Sequence, residues 1–356
     1  MAAPYITGIA ALYIGVHGGR KTNGKAFAKA LSKQIIASGK ALPWSDGTAT
    51  DYGYAASVAQ VGNGLVDAYK VVKYTTDLTF EKIALNDTAF FSRYHDVSVT
   101  NGGEESVTYS FLNSAAAGFE AAGWFPQAGT SGEKRIKVFT ELTPKKLEAD
   151  VVLPRSFTLK PGESKTVTVN FRNPDNLGWN ASALPFYSGK VIVSGSNGEQ
   201  LSVPYLGLAS QIKRDVNIFR NTWPYARSTV NNIDIKQKAS FTFNLSLASQ
   251  DYPKIYSALL WGTAELRWDI YEANWPERKW QYPPVVGQNG YIGSATYWAG
   301  SGQLSWFDPS IYSPDQTYNF PVTYLSRNAP NTNPQNEYWW FGKLANGTQI
   351  ARGNYT

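Results

Sequence analysis

From about Leu78 onward the sequence keeps a period of two, and no other feature restricts the fold as much. "ESVTYSF" sets Val107, Tyr109 and Phe111 against Ser106, Thr108 and Ser110; "KTVTVNF" sets Val167, Val169 and Phe171 against Thr166, Thr168 and Asn170. Successive side chains of a strand take opposite faces, so each run predicts a strand with one apolar and one wet face. "KPGES" (160–164) and "SNGE" (196–199) are turn signals bounding strands. Short alternating strands with frequent turns predict an antiparallel sandwich. The pattern returns after residue 210. "SFTFNLSL" points Phe241, Phe243, Leu245 and Leu247 inward against Ser240, Thr242, Asn244 and Ser246. "ELRWDIY" points Leu266, Trp268 and Ile270 inward against Glu265, Arg267, Asp269 and Tyr271. "FGKLANGTQIARGNYT" predicts a turn at Asn346-Gly347 and a return strand from Asn354, cut short at the chain end. The fold class expected is mainly β: helices over 1–76, a sandwich over 77–209 and a second sandwich over 210–356.

Residues 1–76 differ. Positions 4–16 read as a helix apolar on nearly every face (Ile6, Ile9, Leu12, Ile14, Val16), with Pro4 suited to its first turn. No basic n-region precedes this run, so it does not read as a signal peptide, and it is shorter than the roughly 20 residues of a membrane span. Such a helix is expected inside a domain, yet the rest of the segment offers no sheet to cover it. The expectation is a chain cut from a longer one, with this helix exposing apolar surface. "GKAFAKALSKQIIAS" (24–38) spaces Phe27, Leu31 and Ile35 by one turn. "GNGLVDAYKVV" (62–72) predicts a short helix with Leu65, Ala68, Tyr69 and Val72 on one side.

These residues carry a resemblance. "MAAPYITGIAALYI" resembles the segment that follows the catalytic serine of subtilisin-like serine proteases, Gly-Thr-Ser-Met-Ala-x-Pro, matched at Met1, Ala2 and Pro4. "VGNGLVDAYKVV" resembles the family's Gly-x-Gly-x-Val-Asp-Ala helix, matched at Gly62, Gly64, Val66, Asp67 and Ala68. "LPRSFTLKPGESKTVTVNF" and "YSGKVIVSGSNGEQLSVPYLG" resemble the fibronectin type III-like (Fn3-like) domain that follows the protease domain in enzymes of the C5a-peptidase kind. The resemblance implies a secreted or cell-surface endopeptidase acting on proteins or peptides. It also implies that the aspartate, histidine and serine of the triad all precede Met1, so that this chain alone has no catalytic residue and is inactive. His17 reads as a helix-end residue and His95, beside Asp96, as the start of a strand; neither is assigned to catalysis.

Composition removes other classes. With no cysteine there is no disulfide, thiolate zinc site or thiol nucleophile. No phosphate loop, calcium loop or metal-ligand cluster appears, so no cofactor or metal is expected. The net charge of +6 is thinly spread, and the basic residues before position 40 read as a solvated helix face, not a nucleic-acid patch. Sequons at Asn86, Asn180, Asn244, Asn346 and Asn354 fit secretion. Asn244 is the favoured glycan site because the strand expected there turns it outward. Tryptophan crowds the last region: Trp261, Trp268, Trp275, Trp280, Trp298, Trp306, Trp339 and Trp340. Most are expected in a core, with Trp275 and Trp280 the most exposed and cell-wall polysaccharide a further partner. The alternative to the protease reading is a noncatalytic adhesion or carbohydrate-binding β-sandwich protein; residues 1–75, which such a module would not need, discriminate the two.

Overall fold

The computed structural model describes residues 2–125, 133–219, 224–229, 231–235, 240–328 and 333–356. The chain is mainly β and divides into two compact units, Met1–Val216 and Asn217–Thr356.

In the first unit, helices α1 (Ala2–His17), α2 (Arg20–Asn23), α3 (Phe27–Ala37), α4 (Val58–Val61) and α5 (Ala68–Lys73) precede the strands, and α6 (Ile212–Asp215) follows them. The strands are β1 (Thr76–Phe80), β2 (Ile83–Asn86), β3 (Tyr94–Asn101), β4 (Val107–Ala115), β5 (Phe119–Glu120), β6 (Ala122–Phe125), β7 (Glu133–Ile136), β8 (Val151–Val152), β9 (Phe157–Leu159), β10 (Ser164–Phe171), β11 (Pro185–Gly195) and β12 (Gln200–Leu208). One sheet runs β1-β3-β10-β8 and the other β2-β12-β11-β4-β9, with β5 also on β11. Glu81 and Lys82 carry the chain from the first sheet to the second, where β2 joins β12 in parallel.

The core between the sheets is what the alternation predicts. Val107, Tyr109, Val169 and Phe171 are buried with Val97, Val99, Val191 and Val203, while Ser106, Thr108, Thr166 and Thr168 face out. The β9–β10 turn contains Gly162 and the β11–β12 turn contains Gly198, both at positive φ, where glycine has no steric cost.

The helices follow the sequence less closely. Ile9 of α1, Leu31 of α3 and Val71 of α5 form a small core, with Tyr13, Phe27, Ile35, Val66 and Ala68 half-buried around it. The rest of α1 is uncovered: Tyr5, Ile14 and Val16 are exposed, and Leu12 is 60% exposed. Helix α5 begins at Ala68 and not directly after Gly64, because Asp67 caps it and Leu65 pairs with Lys40 as a bridge. The start moves its buried face to Val71, and Leu65 and Tyr69 are exposed instead of buried.

The second unit contains β13 (Tyr225–Arg227), β14 (Asp234–Ile235), β15 (Lys254–Ser257), β16 (Thr263–Leu266), β17 (Asp269–Tyr271), β18 (Tyr291–Ser294), β19 (Thr296–Trp298), β20 (Thr317–Asn319), β21 (Val322–Leu325) and β22 (Asn336–Trp339). They form a β14-β13-β15-β22 sheet and the pairs β16-β21, β17-β18 and β19-β20, all antiparallel. Consecutive residues from β22 onward enter alternate cores. Tyr338 and Trp340 pack with Ile270, Ala295, Phe320 and Leu344; Trp339 and Phe341 pack with Tyr252, Trp298 and Phe307.

Two expected strands are corrected here. "SFTFNLSL" is not a strand. Only Asn244 pairs, with Asp251, and Phe243 takes a φ of +53°, which breaks the extended run and leaves Leu247 exposed. "ELRWDIY" divides at Arg267–Trp268 into β16 and β17, and a register shift between Ile270 and Tyr271 turns Tyr271 inward.

Leu85 is fully buried between the sheets. Leu85→Ala is expected to cost about 2–5 kcal/mol in a denaturant titration. Thr79→Ala, on the wet face of β1, is expected to stay within about 0.5 kcal/mol.

Candidate functional site

The motif residues of the helical segment meet where that segment joins the sandwich. Lys40 and Leu65 exchange both main-chain hydrogen bonds, at 2.7 and 2.9 Å. This pairing draws the Gly62-Asn63-Gly64 turn against β11 and β12. Gly64 has φ +93°, and a Cβ there would fall on the Lys40 carbonyl, so both backbone angle and space demand glycine. Gly62 caps α4 at positive φ. Asn63 is buried; its amide donates to the Ser202 carbonyl at 3.2 Å, to Ser202 Oγ at 3.0 Å and to the Ile36 carbonyl.

Lys190 of β11 reaches the same turn. Its Nζ donates to the Asn63 carbonyl at 2.6 Å and to Gly39 at 3.4 Å. Burial, with a smaller push from Lys70, lowers its pKa to about 8. Asp67 caps α5 by accepting from the amides of Tyr69 and Lys70, and its other oxygen lies 3.0 Å from Lys40 Nζ. Burial pushes its carboxyl up, but Lys40 and the two amides outweigh that and hold the pKa low. Val66 and Ala68 line the small helical core. Ser57 and Ser188, both buried, share a 3.0 Å hydrogen bond, and Ser188 Oγ also accepts from the Val58 amide. Glu199 closes the seam by accepting from the amides of Thr75 and Thr76, each at 2.8 Å.

Gly62, Gly64, Val66, Asp67 and Ala68 are thus brought together, and every contact they make is structural. Met1 lies outside the described residues; Ala2 begins α1, and Pro4 is exposed in its first turn. His17 ends α1 with Nε2 2.7 Å from the Val72 carbonyl. His95 Nε2 is 2.9 Å from the Ser92 carbonyl, and its ring meets Phe171 edge-on. Both imidazoles are engaged by main-chain carbonyls, that of Val72 for His17 and that of Ser92 for His95. Lys190, Glu199 and the Ser57–Ser188 pair carry no sequence signal, since each is identified only by a partner distant in the chain.

The five sequon asparagines, Asn86, Asn180, Asn244, Asn346 and Asn354, are all exposed. Asn244 sits in a loop: its Oδ1 accepts from the Ser246 amide and its Nδ2 donates to Ser249 Oγ. Asn346 Oδ1 accepts from the amide and hydroxyl of Thr348, and Asn180 Oδ1 from the hydroxyl of Ser182.

Of the tryptophans, Trp298, Trp339 and Trp340 are buried and Trp268 packs beside them. Trp261 is half-buried. Trp280 is exposed as expected. Trp275 is not: it stacks on Tyr271 at 4.0 Å and donates to the Asn289 carbonyl. Trp306, at 62% exposure, replaces it on the surface.

Residues 83–206 match the family model of an Fn3-like domain. A chain of the CsuC–CsuE chaperone–tip adhesion subunit complex of Acinetobacter baumannii is similar at 10% identity, over 53% of this chain and 80% of that chain, with a TM-score of 0.22. The periplasmic chaperone SfaE is similar at 8% identity, over 51% and 92%, with a TM-score of 0.23. Likenesses this weak carry no argument about fold or function. No curated protein matches the chain. Among the described residues, no helix is long and apolar enough to cross a membrane.

Two outcomes are expected at the seam. Gly64→Ala should cost about 2 kcal/mol or more, read by thermal or denaturant unfolding. The second concerns pH. The unfolded lysine keeps its proton to its ordinary value of 10.5, while the folded Lys190 releases it from about pH 8. The unfolded state therefore binds more protons across that interval, and stability rises with pH. Lys190→Met has no such group, so the lead of the native chain in melting temperature should widen from pH 8 to 10.5. A constant or narrowing lead would contradict the assignment.

Proposed function

We propose that this chain is a segment of a secreted subtilisin-like serine endopeptidase, comprising the helices that follow the nucleophile and the accessory Fn3-like region. The observation that carries the reading is order along one chain: the "MAAPYITGIAALYI" helix, then the Gly62–Ala68 cap, then an Fn3-like match over residues 83–206. Two features support it. Helix α1 presents Leu12, Ile14 and Val16 to solvent, as expected of a helix made to lie inside a larger domain. The Gly-x-Gly-x-Val-Asp-Ala residues also keep distinct physical roles, as turn, core and helix cap.

In this reading the serine ahead of Met1 attacks the scissile carbonyl, with a histidine as base, an aspartate orienting it and an oxyanion hole holding the developing charge. All of that belongs to residues outside this chain. The Fn3-like region braces the catalytic domain or presents protein substrate to it. The exposed sequon asparagines are read as glycan acceptors of a secreted protein.

The test is direct. The chain by itself should neither react with a fluorophosphonate probe nor cleave casein, and an in-frame Gly-Thr-Ser should lie immediately ahead of Met1 in the genomic sequence. Any other residue at the serine position removes the reading. Glycopeptide mass spectrometry on protein secreted from a eukaryotic host should find sugar on at least one of the five sequons, Asn244 among them. Five unmodified asparagines would count against secretion.

A further inference from the structure

Trp306 is held in a way that the other described tryptophans of its unit are not. Its indole is 62% exposed and, among the described residues, has neither a ring partner nor a hydrogen bond for its N–H. A mobile loop could leave a ring in water by default, but here the backbone on both sides is clamped. The Ser305 carbonyl accepts from Lys254 Nζ at 2.8 Å. Phe307 is fully buried, and its carbonyl accepts from the amide of Gln250, itself buried. The ring projects from a fixed backbone.

It projects beside a cavity of about 390 Å³, lined by Thr229, Leu247, Ala248, Ser249, Gln250 and Trp306. That volume lies within the range of small-molecule sites, about 300–1,000 Å³. The walls are cross-tied. Thr229 Oγ1 donates to the Gln250 carbonyl at 2.7 Å and accepts from the Tyr252 amide, and the Tyr252 hydroxyl donates to Gln250 Oε1. Another stretch of the lining is a turn closed from the Ser249 amide to the Ser246 carbonyl at 3.0 Å. Asn244 fixes this turn by donating to Ser249 Oγ at 3.0 Å, which leaves the Ser249 proton available to donate.

The lining chemistry selects the ligand. Among the described residues none of the lining side chains is charged, so these side chains offer an anion or cation no counter-charge. What the described lining offers is the flat indole of Trp306, the apolar side chains of Leu247 and Ala248, and the Ser249 hydroxyl with its proton free to donate; the polar groups of Thr229 and Gln250 are already paired. A sugar ring has the matching surfaces: a C–H face to lie on the indole and a rim of hydroxyls that both donate and accept. We infer that the cleft at Trp306 binds a neutral saccharide. The inference needs none of the catalytic residues of the proteolytic reading, and it applies to the chain with Asn244 free of sugar.

The test uses the full chain made in a bacterial host, so that no glycan on Asn244 can occupy the cleft. The probes are a microarray of neutral oligosaccharides and affinity gel electrophoresis with laminarin, xyloglucan and galactomannan. At least one neutral glycan should bind, and Trp306→Ala should weaken it about tenfold or more. Trp306→Tyr should keep most of the affinity, and Trp280→Ala, which removes an exposed ring outside the cleft, should leave it unchanged. Circular dichroism checks that Trp306→Ala folds; if it does not, Ser249→Ala decides, with a several-fold loss expected. Binding to no neutral glycan overturns the inference, as does binding unaffected by either cleft substitution. A proline-rich peptide that binds through Trp306 while every glycan fails would assign the cleft to peptide instead.

Discussion

The first unit depends on satisfying the main chain around one buried residue of a turn. At Gly62-Asn63-Gly64 the chain meets strands β11 and β12, and Asn63 is buried there while Gly62 is exposed, so the Asn63 carbonyl needs a protein donor. Lys190 supplies a donor from β11, and Asn63 returns hydrogen bonds to Ser202 of β12. Glu199, at the hairpin joining the same two strands, takes the amides of Thr75 and Thr76 as the chain enters β1. Apolar contacts add to these hydrogen bonds: buried Trp44 packs on Phe119 with ring centroids 5.9 Å apart. Ala37 joins the sandwich core, and Ile9, Leu31 and Val71 form the separate helical cluster. Hydrogen bonds and apolar contacts together hold the helical segment on the sheets, and burial of Lys190 among them lowers its pKa.

Helix α1 has the opposite problem. Its residues are apolar, but only Ile9 is well buried. Covering a side chain such as Leu12 or Val16 would contribute roughly 1.5–3 kcal/mol. The helix therefore carries a driving force for association that the described residues do not discharge, which is what the proposed origin of this helix inside a larger domain would leave.

The second unit is organised by aromatic packing. From β22 onward the run Tyr338-Trp339-Trp340-Phe341 serves two cores in alternation, which a strand can do only when it is covered on both faces. Trp298 stacks on Trp339 at 5.3 Å, and its ring occupies the place where a Cβ on Gly300 would stand, so glycine there is a packing requirement. Against so many enclosed rings, the fixed and solvent-facing indole of Trp306 calls for its own explanation, and the adjoining neutral cleft supplies one.

Period-two alternation alone determined the sandwich core, because Val107, Tyr109, Val169 and Phe171 lie on strands whose faces differ plainly in polarity. Helix α1 and the turns at Gly162, Gly198 and Asn346-Gly347 were legible for the same reason: their signals are local. The Gly62–Ala68 motif could be read as a motif but not as a seam, since its partners Lys190 and Ser202 lie more than a hundred residues away. The alternation of "SFTFNLSL" misled, because a polar–apolar period does not reveal that Phe243 takes a positive φ and sits between two cores. Which tryptophans are enclosed was likewise decided only by tertiary packing. Burial of an aromatic ring depends on what the rest of the chain brings to its faces, and nothing in the residues beside Trp275 or Trp306 specifies that.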